Sequence, residues 1–168
     1  MNAKSITRKN SIIQVDLNFL KSRLTTQINP IVEHDGKNKL ASVLVVIYGS
    51  EPIILMTEKP KHLKFHAGEI SFPGGKWDKI DSDLLETALR ETREEINLNI
   101  SREQVIGQLE SVTTLNSGFT IIPFISVIDE ISKLAANAEV EKIFQIPLKP
   151  FLETMADDPD PNHQSILE

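Results

Sequence analysis

The sequence predicts an α/β domain built on a mixed β-sheet. Three observations carry that prediction. Residues 40–48, LASVLVVIY, form an apolar, β-branched run without polar alternation, the pattern of a central strand covered on both faces. Further strand-like runs at 53–57, 105–113, 120–128 and 140–146 are interleaved with segments of helical spacing. No repeat and no linker divides the 168 residues, a length suited to one domain with a substantial core.

The elements follow in order. Residues 1–10 are polar and are expected to form a loose arm. Between Ser11 and Leu24, the positions of Ile12, Ile13, Leu17, Leu20 and Leu24 fit a short helix. Residues 25–39 contain Pro30 and Gly36 and are expected to be loop. After the 40–48 strand, Gly49-Ser50-Glu51-Pro52 is a turn that returns Ile53–Thr57 as a hairpin partner. The basic loop EKPKHLKF, 58–65, leads to a short strand over Glu69–Phe72. Pro73-Gly74-Gly75 is expected to be a turn whose glycines let the backbone approach a ligand. Asp81, Ser82 and Asp83 offer N-cap side chains for a helix running to Ile96, and Asn97 suits its left-handed end. The runs at 105–113 and 120–128 flank a loop at Leu115-Asn116-Ser117-Gly118. A connecting loop over 129–138, a strand over 140–146, a helix over Leu148–Met155 and an acidic loop over 156–163 complete the chain.

Composition removes several function classes. A net charge of -6 opposes general nucleic-acid binding, because a phosphate-tracking surface needs excess Lys and Arg. There are no cysteines, so disulfides, thiolate metal sites and Cys nucleophiles are excluded. No apolar run approaches the roughly 18 residues of a membrane span. The first ten residues lack the apolar core of a signal peptide. A cytoplasmic protein that engages neither nucleic acid nor membrane is therefore expected.

The helix ending at Ile96 breaks a local rule. Leu85, Leu89, Thr92 and Ile96 fall on one stripe and should face the core. Glu91, Glu94 and Glu95 cluster beside it, where like charges oppose one another by about 0.2–0.5 kcal/mol per pair. They also sit at the negative end of the helix dipole, at a cost of roughly 0.3–1 kcal/mol each. Two readings stand on spacing alone: a solvated face, or a divalent-cation site. Oxygen-only ligands would suit Mg²⁺ or Mn²⁺.

Gly75, followed after fourteen residues by Arg90-Glu91 and then by Glu94-Glu95, resembles the signature of the Nudix hydrolases. The preceding segment, from Leu55-Met56-Thr57 through Lys59, His62-Leu63, His66 and Gly68 to Ser71-Phe72-Pro73-Gly74-Gly75, is similar to the extension of the coenzyme A diphosphatase branch. So is Thr114 through Ser117-Gly118-Phe119 to Pro123. The resemblance covers about Leu40 to Leu148. There are four departures from it. The loop before Arg90 is one residue longer than the general pattern. Its early acidic residue has Asp81 as nearest counterpart, with Ser82 at the counted-back position. Asn97 replaces a glycine after the helix, and Lys59 replaces an arginine in the extension. The chain also ends at Glu168, where members of the family usually continue with another strand and helix; either a shortened chain or a differently built end is expected.

The resemblance implies an α/β/α sandwich with a loop–helix–loop metal site. It implies Mg²⁺- or Mn²⁺-dependent hydrolysis of a nucleoside diphosphate-linked small molecule, with CoA or a derivative as the first expectation. ADP-ribose, dinucleotides or nucleoside triphosphates form the alternative, and a non-catalytic nucleotide-binding module is the alternative outside enzymology. Glu91, Glu94 and Glu95 are the implied metal ligands, with Arg90 orienting a carboxylate. Gly74 and Gly75 shape the metal-side loop. Lys59, Lys61, His62 and Lys64, together with Gly74 and Gly75, are the implied substrate contacts. Glu91, Glu139 and Glu141 are alternative general bases, and Glu69 an extra ligand. For His66, Trp77 and Phe119, loop or core packing is weighed above ligand contact. A monomer or a homodimer is expected.

Overall fold

A computed structural model describes residues 15–31, 36–63, 66–114 and 118–156. The expected N-terminal arm, residues 11–14 of the first helix, the Lys64 contact, residues 115–117 and the acidic loop beyond Ala156 lie outside the described residues. The elements are α1 (Leu17–Leu24), β1 (Lys39–Tyr48), β2 (Ile53–Glu58), β3 (Ile70–Ser71), β4 (Gly74–Lys76), α2 (Leu84–Ile96), β5 (Val105–Gln108), β6 (Val112–Thr113), β7 (Phe119–Ile128), β8 (Lys142–Pro147) and α3 (Leu148–Ala156). A short 3₁₀ turn, Arg102–Gln104, precedes β5.

The sheet is mixed, as expected. β1 and β7 run parallel along their whole length, from the pair Lys39–Phe119 to the pair Tyr48–Ile128. The other edge of β1 is shared. Its end pairs antiparallel with β2 through Ile47–Ile54 and Tyr48–Ile53, and its beginning pairs antiparallel with β4 through Ala41–Lys76, Ser42–Gly75 and Val43–Gly74. β2 then diverges, with β3 along Thr57 and Glu58 and β8 along its full length. The hairpin is thus real but short, and the main partner of β2 is β8.

Alternation within the two central strands builds two cores. Leu44, Val46, Ile122 and Phe124 face α2 and pack with Leu84, Leu85, Ala88, Leu89 and Ile96. Val45, Ile47, Ile125 and Val127 face the opposite side and pack with Leu20 of α1 and Leu148 of α3. The result is a helix–sheet–helix sandwich, and the continuous apolar run of β1 is explained by burial on both faces. Each large side chain such as Phe124 or Leu44, both fully buried, contributes about 1.5–3 kcal/mol.

Several boundaries differ from expectation. The first helix begins at Leu17, because the extended Asp16 caps it by accepting the Phe19 N–H, and β3 is limited to Ile70–Ser71. The run 105–113 is broken at 109–111 into β5 and β6, which pair with successive stretches of β7. The last strand begins at Lys142. Most consequentially, Pro73-Gly74-Gly75 is no simple turn. Its two glycines open β4, laid directly on β1. Glycine is a weak strand former on propensity, and close packing overrides that here. A β-carbon on Gly74 would stand 2.3 Å from the Ser42 carbonyl oxygen, so only glycine admits this approach.

Candidate active site

Local chemistry fixes α2 at both ends. The Asp83 carboxylate accepts the Glu86 N–H at 2.8 Å, a side-chain N-cap, and the Arg102 guanidinium grips the same carboxylate at 2.6 and 3.1 Å. At the far end Asn97 adopts φ +58° and donates its N–H to Arg93 at 2.9 Å. The connection after β7 closes this end: the Ala135 and Asn137 N–H groups donate to the Ile96 and Glu95 carbonyls, each at 3.0 Å. The expected stripe of Leu85, Leu89, Thr92 and Ile96 is buried.

The three glutamates occupy three environments. The side chain of Glu94 is 51% exposed, that of Glu91 is 17% exposed and that of Glu95 only 2%. Arg90 organises the first two. Its Nη1 donates to Glu91 Oε1 at 2.8 Å and to Glu94 Oε2 at 3.1 Å. Its other edge grips Asp81 in a bidentate pair, Nε to Oδ1 at 2.8 Å and Nη2 to Oδ2 at 2.9 Å. Asp81 also accepts the Thr87 hydroxyl at 2.9 Å and the Asp78 N–H at 3.3 Å. Asp81 is therefore the anchor of Arg90, with its carboxylate saturated by four donors. It does not cap α2, which Asp83 does.

Charge and burial tune these groups. Hydrogen bonds from Arg90 hold the Asp81 carboxyl below the usual carboxylate range, and the guanidinium is raised in turn, chiefly by Asp81. Glu91 moves the other way. Burial pushes its carboxyl up, Arg90 pulls it down, and the charges of Glu95 and Glu94 add to the rise.

The two glycines make contact with two different glutamates. Gly74 donates its N–H to Glu95 Oε2 at 3.1 Å. A β-carbon on Gly75 would lie 2.5 Å from the Glu91 carboxyl carbon, so the missing side chain is the space in which that carboxylate rests. The register of β4 on β1 thus sets each glycine opposite one acid of α2.

On the other side of Glu95 stands the 59–69 loop. Lys59, expected on substrate phosphate, places its Nζ 2.5 Å from Glu95 Oε1. Lys61 and His62 are exposed and line an open depression of about 470 Å³ with Glu58, Glu141 and Lys142. Glu141 therefore reaches this groove, while Glu139 is exposed with its N–H on Asn137 Oδ1 at 2.8 Å. Glu69 is engaged by His66, Nδ1 to Oε2 at 2.7 Å, and His66 adopts φ +58°. Trp77 packs against the α2-side core. Phe119 is half-buried beneath the Lys39 ammonium, 5.7 Å from the ring centre.

Among the described residues, no three acidic or imidazole side chains are gathered around one point as they stand. Arg90 and Lys59 instead occupy oxygens of Glu91, Glu94 and Glu95. The donor set nevertheless fits a hard divalent ion. It is all oxygen, and Asp81, Glu91, Glu94 and Glu95 against Arg90 and Lys59 leave a formal excess of two negative charges. Nothing in the spacing signalled Asp81 as the Arg90 anchor, because their pairing depends on the path of the 76–83 loop.

Comparison with known proteins adds independent observations. The chain matches the NUDIX domain model over residues 38–161. It is 42% identical over 110 residues to a Yersinia enterocolitica protein named uncharacterized Nudix hydrolase NudL, covering 64% of this chain and 56% of that protein. The chain thus spans little more than half of that relative. The protein of the same name from Photorhabdus laumondii is 34% identical over 137 residues, covering 80% of this chain and 73% of the relative. Among solved structures, a MutT/nudix family protein from Enterococcus faecalis superimposes with a TM-score of 0.57 at 20% identity, over 76% of this chain and 49% of that one. The NUDIX domain of Shewanella oneidensis NrtR, solved with ADP ribose, gives 0.54 at 19% identity, over 69% of this chain and 77% of that one. At these identities the structures speak for the fold, and the family model speaks for the chain: it belongs to the Nudix family.

Proposed function

We propose that the chain is a Mg²⁺- or Mn²⁺-dependent Nudix hydrolase of a nucleoside diphosphate-linked substrate, and that CoA or a CoA derivative is that substrate. The observation that carries the hydrolase reading is the pairing of β4 with α2, which seats Glu91 against Gly75 and Glu95 against the Gly74 N–H. The substrate reading rests on the resemblance of residues 55–75 and 114–123 to the CoA diphosphatase branch.

Glu91, Glu94 and Glu95 would hold the ion, which when bound neutralises phosphoryl charge and makes a water more acidic. Arg90 keeps Glu91 and Glu94 in place while Asp81 keeps Arg90 in place. Glu91 is the favoured base, ahead of Glu139 and Glu141. It is the one of the three that belongs to the acid set of α2, whereas Glu139 and Glu141 are exposed outside it. Lys61 and His62, which line the groove with Glu58, Glu141 and Lys142, would meet substrate phosphate. Water adds across the diphosphate, one P–O bond breaks, and CoA yields 4′-phosphopantetheine and adenosine 3′,5′-bisphosphate.

The test is a substrate panel at equal concentration: CoA, acyl-CoA, oxidised CoA, ADP-ribose, dinucleotides and nucleoside triphosphates, with Mg²⁺ or Mn²⁺ and products identified by mass. The highest kcat/KM is expected for a CoA form. Cleavage of ADP-ribose or a dinucleotide alone would replace the substrate assignment. No cleavage of any substrate by the folded protein would leave the non-catalytic binding module as the better reading.

A further inference from the structure

Lys59 stands where the sequence places a substrate contact, yet its ammonium is spent on a carboxylate. We propose that Lys59 is a positioning residue for Glu95 and the internal cation that competes with a divalent ion for that carboxylate. The inference rests on the reading of α2 as a metal site.

Three observations carry it. The first is burial: the Glu95 side chain is 2% exposed, and among the described residues its carboxylate meets only the Lys59 ammonium and the Gly74 N–H. A charge so enclosed needs a compensating charge, and among the described residues Lys59 supplies it. The second is backbone order on the lysine side. The Lys59 N–H donates to the Glu69 carbonyl at 2.9 Å, and its own carbonyl accepts the Gly68 N–H at 3.0 Å, so the stem starts from a fixed point. The third is the contrast with Arg90. Arg90 is locked by Asp81 while it serves Glu91 and Glu94. Among the described residues Lys59 has Glu95 as its one side-chain partner, and its own side chain is 22% exposed. A compact ammonium on a flexible stem can leave such a partner; a bidentate guanidinium held from behind cannot.

The same carboxylate therefore has two claimants. In the ion-free protein, Lys59 stabilises Glu95 in its buried position. That stabilisation is forfeited when the carboxylate turns to a divalent ion, so the lysine lowers metal affinity while preserving the shape of the site.

The experiment measures Mn²⁺ binding by calorimetry on the full chain, with thermal unfolding alongside. Lys59→Met is expected to bind Mn²⁺ roughly tenfold more tightly, a typical size for coupling between ligands. Its ion-free form is expected to melt at lower temperature and to gain more from Mn²⁺ than the native protein gains. Lys59→Gln keeps a hydrogen-bond donor without the charge and is expected to shift affinity in the same direction, so it decides the question should the Met variant fail to fold. Lys59→Arg keeps the charge and is expected to bind Mn²⁺ as the native protein does. Unchanged or weaker Mn²⁺ binding in the Gln and Met variants would overturn the inference. Glu95→Gln separates the two layers: native-like Mn²⁺ affinity in that variant removes Glu95 from the metal site and the competition with it, whereas lost affinity there with no change in the Lys59 variants removes only the competition.

Discussion

The two flanks of α2 are built differently. On one side, Asp81, Arg90, Glu91 and the glycines of β4 form a closed set in which almost every polar atom has a partner inside the fold. On the other, the 59–69 loop presents Lys61, His62 and Leu63 to solvent, while Lys59 reaches inward to Glu95 and Pro60 is buried. The closed flank is fixed by strand register and by a guanidinium held at both edges. The open flank depends on a few loop hydrogen bonds. Under the proposed function the difference would match a division of labour: chemistry that tolerates little displacement would be set on strand and helix, and substrate selection left to a loop.

The sharpest way to break this comparison is to remove the charge where the two flanks meet, at Glu95, held by Gly74 on one side and Lys59 on the other. Glu95→Gln is expected to lower turnover by roughly 10²–10³-fold, the scale of losing one preorganised electrostatic group, with the far-ultraviolet circular dichroism unchanged. A loss of only a few-fold would mean that the buried glutamate is structural.

The glycine pair sharpens the same point, because the two neighbours should fail in different ways. Gly75→Ala drives a methyl into the Glu91 carboxylate, the movable end of a side chain. It is expected to lower kcat about 100-fold with little change in melting temperature. Gly74→Ala meets backbone at Ser42 and Val43, and is expected to cost about 1–3 kcal/mol of stability in denaturant unfolding. Equal stability losses in both would contradict the assignment of separate roles.

Asp81 tests the anchor through pH. Its folded pKa is depressed, first by Arg90. The stability it contributes is therefore present above the unfolded carboxylate value and is lost as pH falls through the lower folded value. Urea unfolding is expected to show the native protein weakening below about pH 4, and Asp81→Asn is expected to flatten that acid limb. An acid limb of undiminished slope in Asp81→Asn would show that other carboxylates carry it.

The smallest effect belongs to the open flank. His62→Ala is expected to raise KM by a few-fold and leave kcat unchanged, by steady-state kinetics on the preferred substrate. A fall in kcat without change in KM would move His62 to the reacting centre.

Much of the fold was legible in order of residues. The β-branched run of β1, the stripe of α2 and the left-handed Asn97 each follow from a local preference that burial reinforces. β4 was not legible, because two glycines argue for a turn until Ser42 and Val43 are seen lying against them. The break between β5 and β6 was hidden for a related reason: both segments pair with β7, and the pause at 109–111 is set by that partner. The burial of Glu95 was equally hidden, since one residue's difference in helical angle separates it from the exposed Glu94.

The sequence by itself determined the mixed α/β architecture, the helix that bears the acids and the spacing of Gly75 from Arg90, because periodicity and backbone preference are properties of neighbouring residues. Only the tertiary structure decided which charge meets which. Asp81 finds Arg90, and Lys59 finds Glu95, through loops whose paths are set by packing across the sheet. Such pairings are long-range and governed by burial, where an unpaired charge costs several kcal/mol and the fold itself selects the partner.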